Sequence, residues 1–168
     1  MHRLARLRET RGKEYGKLVQ KLLALSFLEA GASRVTERSI QGIDLEVEVD
    51  GRRLALEVKT TETGNVKLGT KDVKGLDARM SEGYETYVAV LGVGLLDEWV
   101  FAAYRGGEPA QGVAYSPHAL RPYRTHDLEA RITALFDDLL ARHLAGAVER
   151  GQGYLDEVLG GYSAFAQA

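Results

Sequence analysis

Ile43-Asp44-Leu45-Glu46-Val47-Glu48-Val49, then Asp50-Gly51, then Arg52-Arg53-Leu54-Ala55-Leu56-Glu57-Val58-Lys59, alternates apolar and polar residues on both sides of a two-residue break. Period-two alternation is the mark of half-buried strands, and an Asp-Gly pair supplies the positive φ angles of a type I′ turn. The stretch predicts a β-hairpin whose register can be counted: Val49 opposite Arg52, Val47 opposite Leu54, Leu45 opposite Leu56, and Asp44 opposite Glu57. The apolar set then lines one face, and Asp44, Glu57 and Lys59 line the other.

Directly opposed side chains on a sheet face have Cβ atoms roughly 4.5 to 5.5 Å apart, and like charges placed there repel. A hard divalent cation held between the two carboxylates relieves that repulsion, and Lys59 adds a positive charge one pleat further on. Taken singly, each residue also suits a solvated polar face. Glu46, Glu48 and Asp50 lie on that same face, and Glu48 simply meets Arg53.

The arrangement of Asp44, thirteen residues on, Glu57-Val58-Lys59-Thr60 resembles the core of the PD-(D/E)xK nuclease superfamily, and most resembles its archaeal Holliday-junction resolvase branch. The resemblance covers about residues 11 to 104: a helix opening after Arg11-Gly12 and closing near Gly31, then the hairpin, then a basic loop and helix, then Tyr87-Val88-Ala89-Val90-Leu91. It implies that Asp44, Glu57 and the Val58 carbonyl hold Mg²⁺, with Mn²⁺ able to substitute. It also implies that Lys59 orients or helps deprotonate a water.

Two positions depart from the family pattern. Gly42-Ile43 stands where the family has a proline. The family's metal-site glutamate on the first helix falls here on Gly16, with Glu14 two residues early. Glu14 is therefore either a displaced metal and catalytic residue or a first-turn acidic residue favoured by the helix dipole.

A chain of 168 residues suits one domain with a substantial core. With no cysteine, disulfides, zinc thiolates and thiol catalysis are excluded, and a reducing cytoplasm is the expected setting. The N-terminal residues lack the apolar run of a signal peptide, and no stretch approaches the roughly 20 apolar residues of a membrane span.

The net charge of −2 conceals an asymmetry: residues 1 to 84 carry sixteen Lys/Arg against thirteen Asp/Glu, and residues 85 to 168 carry six against eleven. The basic surplus is densest at Arg3, Arg6, Arg8, Arg11 and Lys13, and again at Lys67, Lys71 and Lys74. Such clusters can neutralise phosphates and release counterions. Arg11, Lys13, Thr60, Lys67, Lys71 and Lys74 are the expected DNA contacts.

Along the rest of the chain, residues 13 to 30 carry apolar residues at helical spacing, and a short strand is expected near residues 34 to 38. Thr70 is placed to cap a helix through about Glu82 that buries Val73, Leu76 and Met80. Strands are expected at Tyr87–Leu91 and Glu98–Tyr104, an irregular connection at residues 106 to 122, and C-terminal helices over residues 125 to 168. The long helix from Leu128 to Val148 has a stripe wide enough for its own domain and for a partner.

Other constellations are weaker. His2, His118, His126 and His143 form no pair at metal-ligand spacing, Gly92-Val93-Gly94 lacks the context of a dinucleotide fingerprint, and Ser39 has no positioned base. The reading is a single α/β domain with a restriction-endonuclease-like core, a mixed sheet of four or five strands flanked by helices, and a C-terminal helical extension. Its expected activity is Mg²⁺-dependent endonucleolytic hydrolysis of DNA in recombination and repair, above all at four-way junctions, by a homodimer cutting symmetrically. The alternatives are a restriction- or repair-type nuclease of the same superfamily, or a catalytically silent nucleic-acid-binding domain.

Overall fold

The computed structural model describes residues 2–38, 42–61, 64–92 and 98–168. Ser39 and the Val93-Gly94 pair of the glycine-rich stretch lie outside the described residues. The hairpin forms as counted: β2 (Leu45–Val49) and β3 (Arg52–Thr61) pair Leu45 with Leu56, Val47 with Leu54 and Val49 with Arg52. Its turn residues Asp50 and Gly51 have φ of 53° and 74°, the two positive values a type I′ turn requires.

Around the hairpin the chain runs α1 (Arg3–Thr10), α2 (Tyr15–Glu29), β1 (Arg34–Glu37), then after β3, α3 (Thr70–Ser81), β4 (Glu85–Gly92) and β5 (Trp99–Ala103). A 3-10 turn at Arg121–Tyr123 precedes α4 (His126–Arg150), α5 (Gln152–Gly160) and β6 (Phe165–Gln167). The strands form one six-stranded sheet in the order β5-β4-β3-β2-β1-β6. The pairs β3–β4 and β1–β6 are parallel, and the others are antiparallel.

The sheet exceeds the expected four or five strands because the chain returns after α5. Phe165-Ala166-Gln167 is too short to announce a strand by alternation. It is held from outside, by pairing with Val35–Glu37 and by Gln167 Nε2 donating to Glu37 at 3.1 Å and to Asp156 at 3.0 Å. The same Glu37 meets buried Lys21 at 2.7 Å and Gln20 at 2.8 Å. The end of the C-terminal extension is thus tied into the sheet of the core.

Each sheet face has its own core. Leu45, Val47, Val49, Leu54 and Leu56 pack with α1, α2, α4 and α5 in the larger one, and α2, between sheet and helices, is buried at twelve of its fifteen residues. On the other face Ala55, Val88 and Val90 pack under Leu76 of α3, with Tyr104 just after β5 and Leu120 from the irregular connection.

Three expectations change here. The N-terminal basic stretch is helix α1, whose Leu4 and Leu7 are buried against the core. Gly69, not Thr70, is the N-cap of α3, and Met80 is exposed. Both apolar rows of α4 are spent within the chain: Leu128, Ile132, Phe136, Leu139 and Leu140 are buried, while Leu144 and Val148 pack against the same core. The stripe on α4 is therefore no spare dimer surface, and among the described residues the only large exposed apolar side chains are Met80 and Val113.

Candidate active site

The paired ladder stops at Leu45–Leu56, one step short of Asp44 and Glu57. Asp44 O accepts from Arg38 N at 2.9 Å, continuing the β1–β2 register, but Asp44 N donates to Leu56 O at 3.0 Å where regular pairing would face Glu57, so its backbone leaves the register with β3. The departure follows from Gly42, whose φ is 72° and whose backbone packs on Gly75 of α3. A Cβ on Gly75 would lie 2.3 Å from Gly42 O. Only glycine at both positions lets helix and chain approach this closely. Out of register, Asp44 reaches across the hairpin, and its Oδ2 accepts the Val58 amide at 2.8 Å.

Glu57 sits on the α3 side of β3, 6% exposed, where the charges of Asp44 and Asp72 act on it. Lys59 Nζ lies 3.4 Å from Glu57 Oε1 and 2.9 Å from Asp72 Oδ2. Asp72 also accepts the Gly69 amide at 2.8 Å.

The electrostatics follow from burial. Glu57 is pushed up to about 9, first by burial and then by the charges of Asp44 and Asp72. Burial also raises Asp44, against the pull of the Val58 amide and Lys17. Burial opposes the charge on Lys59, but its pairs with Asp72 and Glu57 outweigh that and hold the ammonium above its ordinary value. Three carboxyls facing one ammonium leave excess negative charge, which Glu57 relieves by keeping a proton.

A hard divalent cation fits this excess. Buried carboxyl oxygens are its preferred ligands, and Mg²⁺ commonly takes one or two carboxylates and keeps several waters. Among the described residues no group of three or more His, Asp or Glu side chains is arranged to hold a metal. Among the described residues the side chains placed to hold it would be the pair Asp44 and Glu57.

Glu14 does not join them. Its carboxylate accepts from Gln152 N at 3.1 Å, Gln152 Nε2 at 3.3 Å and Arg11 at 3.2 Å, and the Gln152 amide foremost holds it below its ordinary value. Arg11 is likewise engaged, donating to Val148 O at 2.9 Å and Glu149 O at 2.5 Å at the end of α4. These contacts give both residues structural roles: a cation satisfying carbonyls at a helix C-terminus and an anion receiving an amide at a helix N-terminus. Lys13, Lys67, Lys71 and Lys74 are exposed. Lys71 and Lys74 line a depression of about 390 Å³ with Gly42, Ile43 and Arg79. Thr60 follows Lys59, so strand alternation turns its side chain to the opposite face of β3.

Two residues of the site had no sequence signal. Asp72 reads as an ordinary first-turn acidic residue of α3. Lys17, whose charge acts on Asp44, lies next to Gly16, the position where the resemblance expects a carboxylate.

No protein-family model matches the chain, and no curated protein matches it. Among solved structures the fold is shared with Hjc of Archaeoglobus fulgidus, a Holliday junction resolvase from an archaeal hyperthermophile. The likeness has a TM-score of 0.54 at 19% identity, over 69% of this chain and 94% of that one. The protein therefore has the restriction-endonuclease-like α/β fold that the resemblance implied, with almost the whole of that resolvase matched inside it.

Proposed function

We propose that this protein is a divalent-metal-dependent DNA endonuclease acting on branched DNA, with four-way junctions the leading substrate. The observation that carries this reading is the Asp44–Glu57 pair: a half-buried carboxyl tied to the Val58 amide beside the buried carboxyl of Glu57, with Lys59 next to them, on a fold shared with a resolvase. An acidic pair withdrawn from solvent is costly without a counter-charge, and such perturbed groups gather at functional sites.

Asp44 and Glu57 would hold Mg²⁺ or Mn²⁺, with the Val58 carbonyl as a further oxygen ligand. When bound, the cation supplies charge stabilisation at the scissile phosphate and acidifies the attacking water. The Val58 amide fixes the orientation of Asp44. Lys59, held as an ammonium, orients the water and offsets phosphate charge. Lys67, Lys71 and Lys74 meet the flanking backbone. A junction has near two-fold symmetry, so paired incision calls for two copies of the chain.

Side-by-side incubation of synthetic four-way junctions, flaps and linear duplex with Mg²⁺ tests the reading. Symmetric paired nicks in the junction support resolution. Preferential cutting of flaps or duplex moves the assignment to a repair or restriction nuclease, and tight binding without cutting to a silent binding domain.

A further inference from the structure

Asp72 stands in the first turn of α3 and does two things with one oxygen. Its Oδ2 accepts the Gly69 amide at 2.8 Å and pairs with Lys59 Nζ at 2.9 Å, closer than Lys59 stands to Glu57. The helix carrying it is itself fixed, because Gly75 packs backbone to backbone on Gly42, two residues before Asp44. A rigid path thus runs from the segment that aims Asp44, through α3, to the head of Lys59. A cap needs only an acceptor, which an amide oxygen would provide. The contact to Lys59 needs the charge.

We propose that Asp72 is a positioning residue for the hydrolysis proposed above, anchoring the Lys59 ammonium to the start of α3 so that it meets the scissile phosphate as a stationary charge. The inference rests on the nuclease reading. A lysine head on a four-carbon stem is mobile, and a charge already in place costs no reorganisation when the reaction occurs.

Asp72→Asn separates the two tasks, keeping an acceptor for Gly69 while losing the charge. Junction cleavage should show kcat lower by about 10- to 100-fold, KM within about twofold and an almost unchanged thermal midpoint. In a Lys59→Ala background the same substitution should add almost nothing. Independently of catalysis, a protected Lys59 ammonium signal in ¹H–¹⁵N NMR should be present in the wild type and lost in Asp72→Asn. An unchanged kcat, a full additional loss on top of Lys59→Ala, or an ammonium signal that survives the substitution would overturn the proposal. Wild-type protein that cuts no DNA would overturn the nuclease reading and Asp72's role with it, whereas the NMR signal would still report the attachment.

Discussion

Asp44 and Val58 are joined across the β-hairpin by a 2.8 Å hydrogen bond from the Val58 amide to Asp44 Oδ2. Because the bond spans from just outside the paired ladder to the residue after Glu57, it holds the two carboxyls together where regular strand pairing has already ended. Removing the Asp44 charge should therefore leave the hairpin intact, since Leu45 to Val49 keep their partners. Asp44→Asn is expected to lower Mg²⁺-supported cleavage by about 10²-fold or more while junction binding in Ca²⁺ stays within a few-fold. Gel-shift and single-turnover assays check both.

Glu57 gives the metal-free protein a distinctive pH dependence. Its folded value of about 9 exceeds its ordinary 4.5, so its contribution to stability is fully present below 4.5 and is lost as pH rises towards 9. The loss approaches about 1.4 kcal/mol per pH unit at most. Thermal midpoints in EDTA should fall across this interval, and Glu57→Gln should flatten the fall. A midpoint of the wild type that rises over the same range would show that Glu57 titrates normally.

Cation binding must displace that proton. Near pH 7.5, titration calorimetry in buffers of differing ionisation enthalpy should report release of about one proton per Mg²⁺ or Mn²⁺ bound. Glu57→Gln should abolish the release.

How far the sequence carried depended on whether a feature was local. The hairpin, its turn and its register were legible because alternation and Asp50-Gly51 act over a few residues. Strand β6 was not, because its pairing is set by β1, Glu37 and Asp156 from distant parts of the chain. The site divides the same way. Asp44, Glu57 and Lys59 share one hairpin, so their proximity could be counted out, whereas Asp72 reaches Lys59 only once α3 has docked through Gly75 on Gly42. The contacts of Glu14 and Arg11 were hidden for the same cause. Their partners Gln152, Val148 and Glu149 are more than a hundred residues away, and helical spacing reveals nothing of them.

Residues 2 to 11 are consequently part of the folded body. Arg11→Ala removes hydrogen bonds from a charged donor to Val148 and Glu149 carbonyls, each worth about 1.5–3 kcal/mol when well buried and less at this half-exposed position. A fall of the thermal midpoint by about 2–4 °C per kcal/mol is expected. Deleting residues 2 to 10 also removes Leu4 and Leu7 from the core and should cost more. Loss of DNA affinity with an unchanged midpoint would instead place these residues on the nucleic acid.

The exposed lysines should behave in the opposite way. Neutralising Lys67, Lys71 and Lys74 together should leave stability unchanged but weaken junction binding across sequences. The slope of log affinity against log salt should decrease by about 0.9 for each DNA phosphate that no longer meets a lysine. An unaltered slope would put the DNA on another face.

Cleavage of an end-labelled four-way junction by the wild type and by Glu57→Gln, each with Mg²⁺ and with EDTA, bears most directly on the Asp44–Glu57 pair as a metal-dependent nuclease centre. Expected are nicks only in the wild type with Mg²⁺, with both proteins still binding the junction. Cutting by the wild type in EDTA, or undiminished cutting by Glu57→Gln, would contradict it.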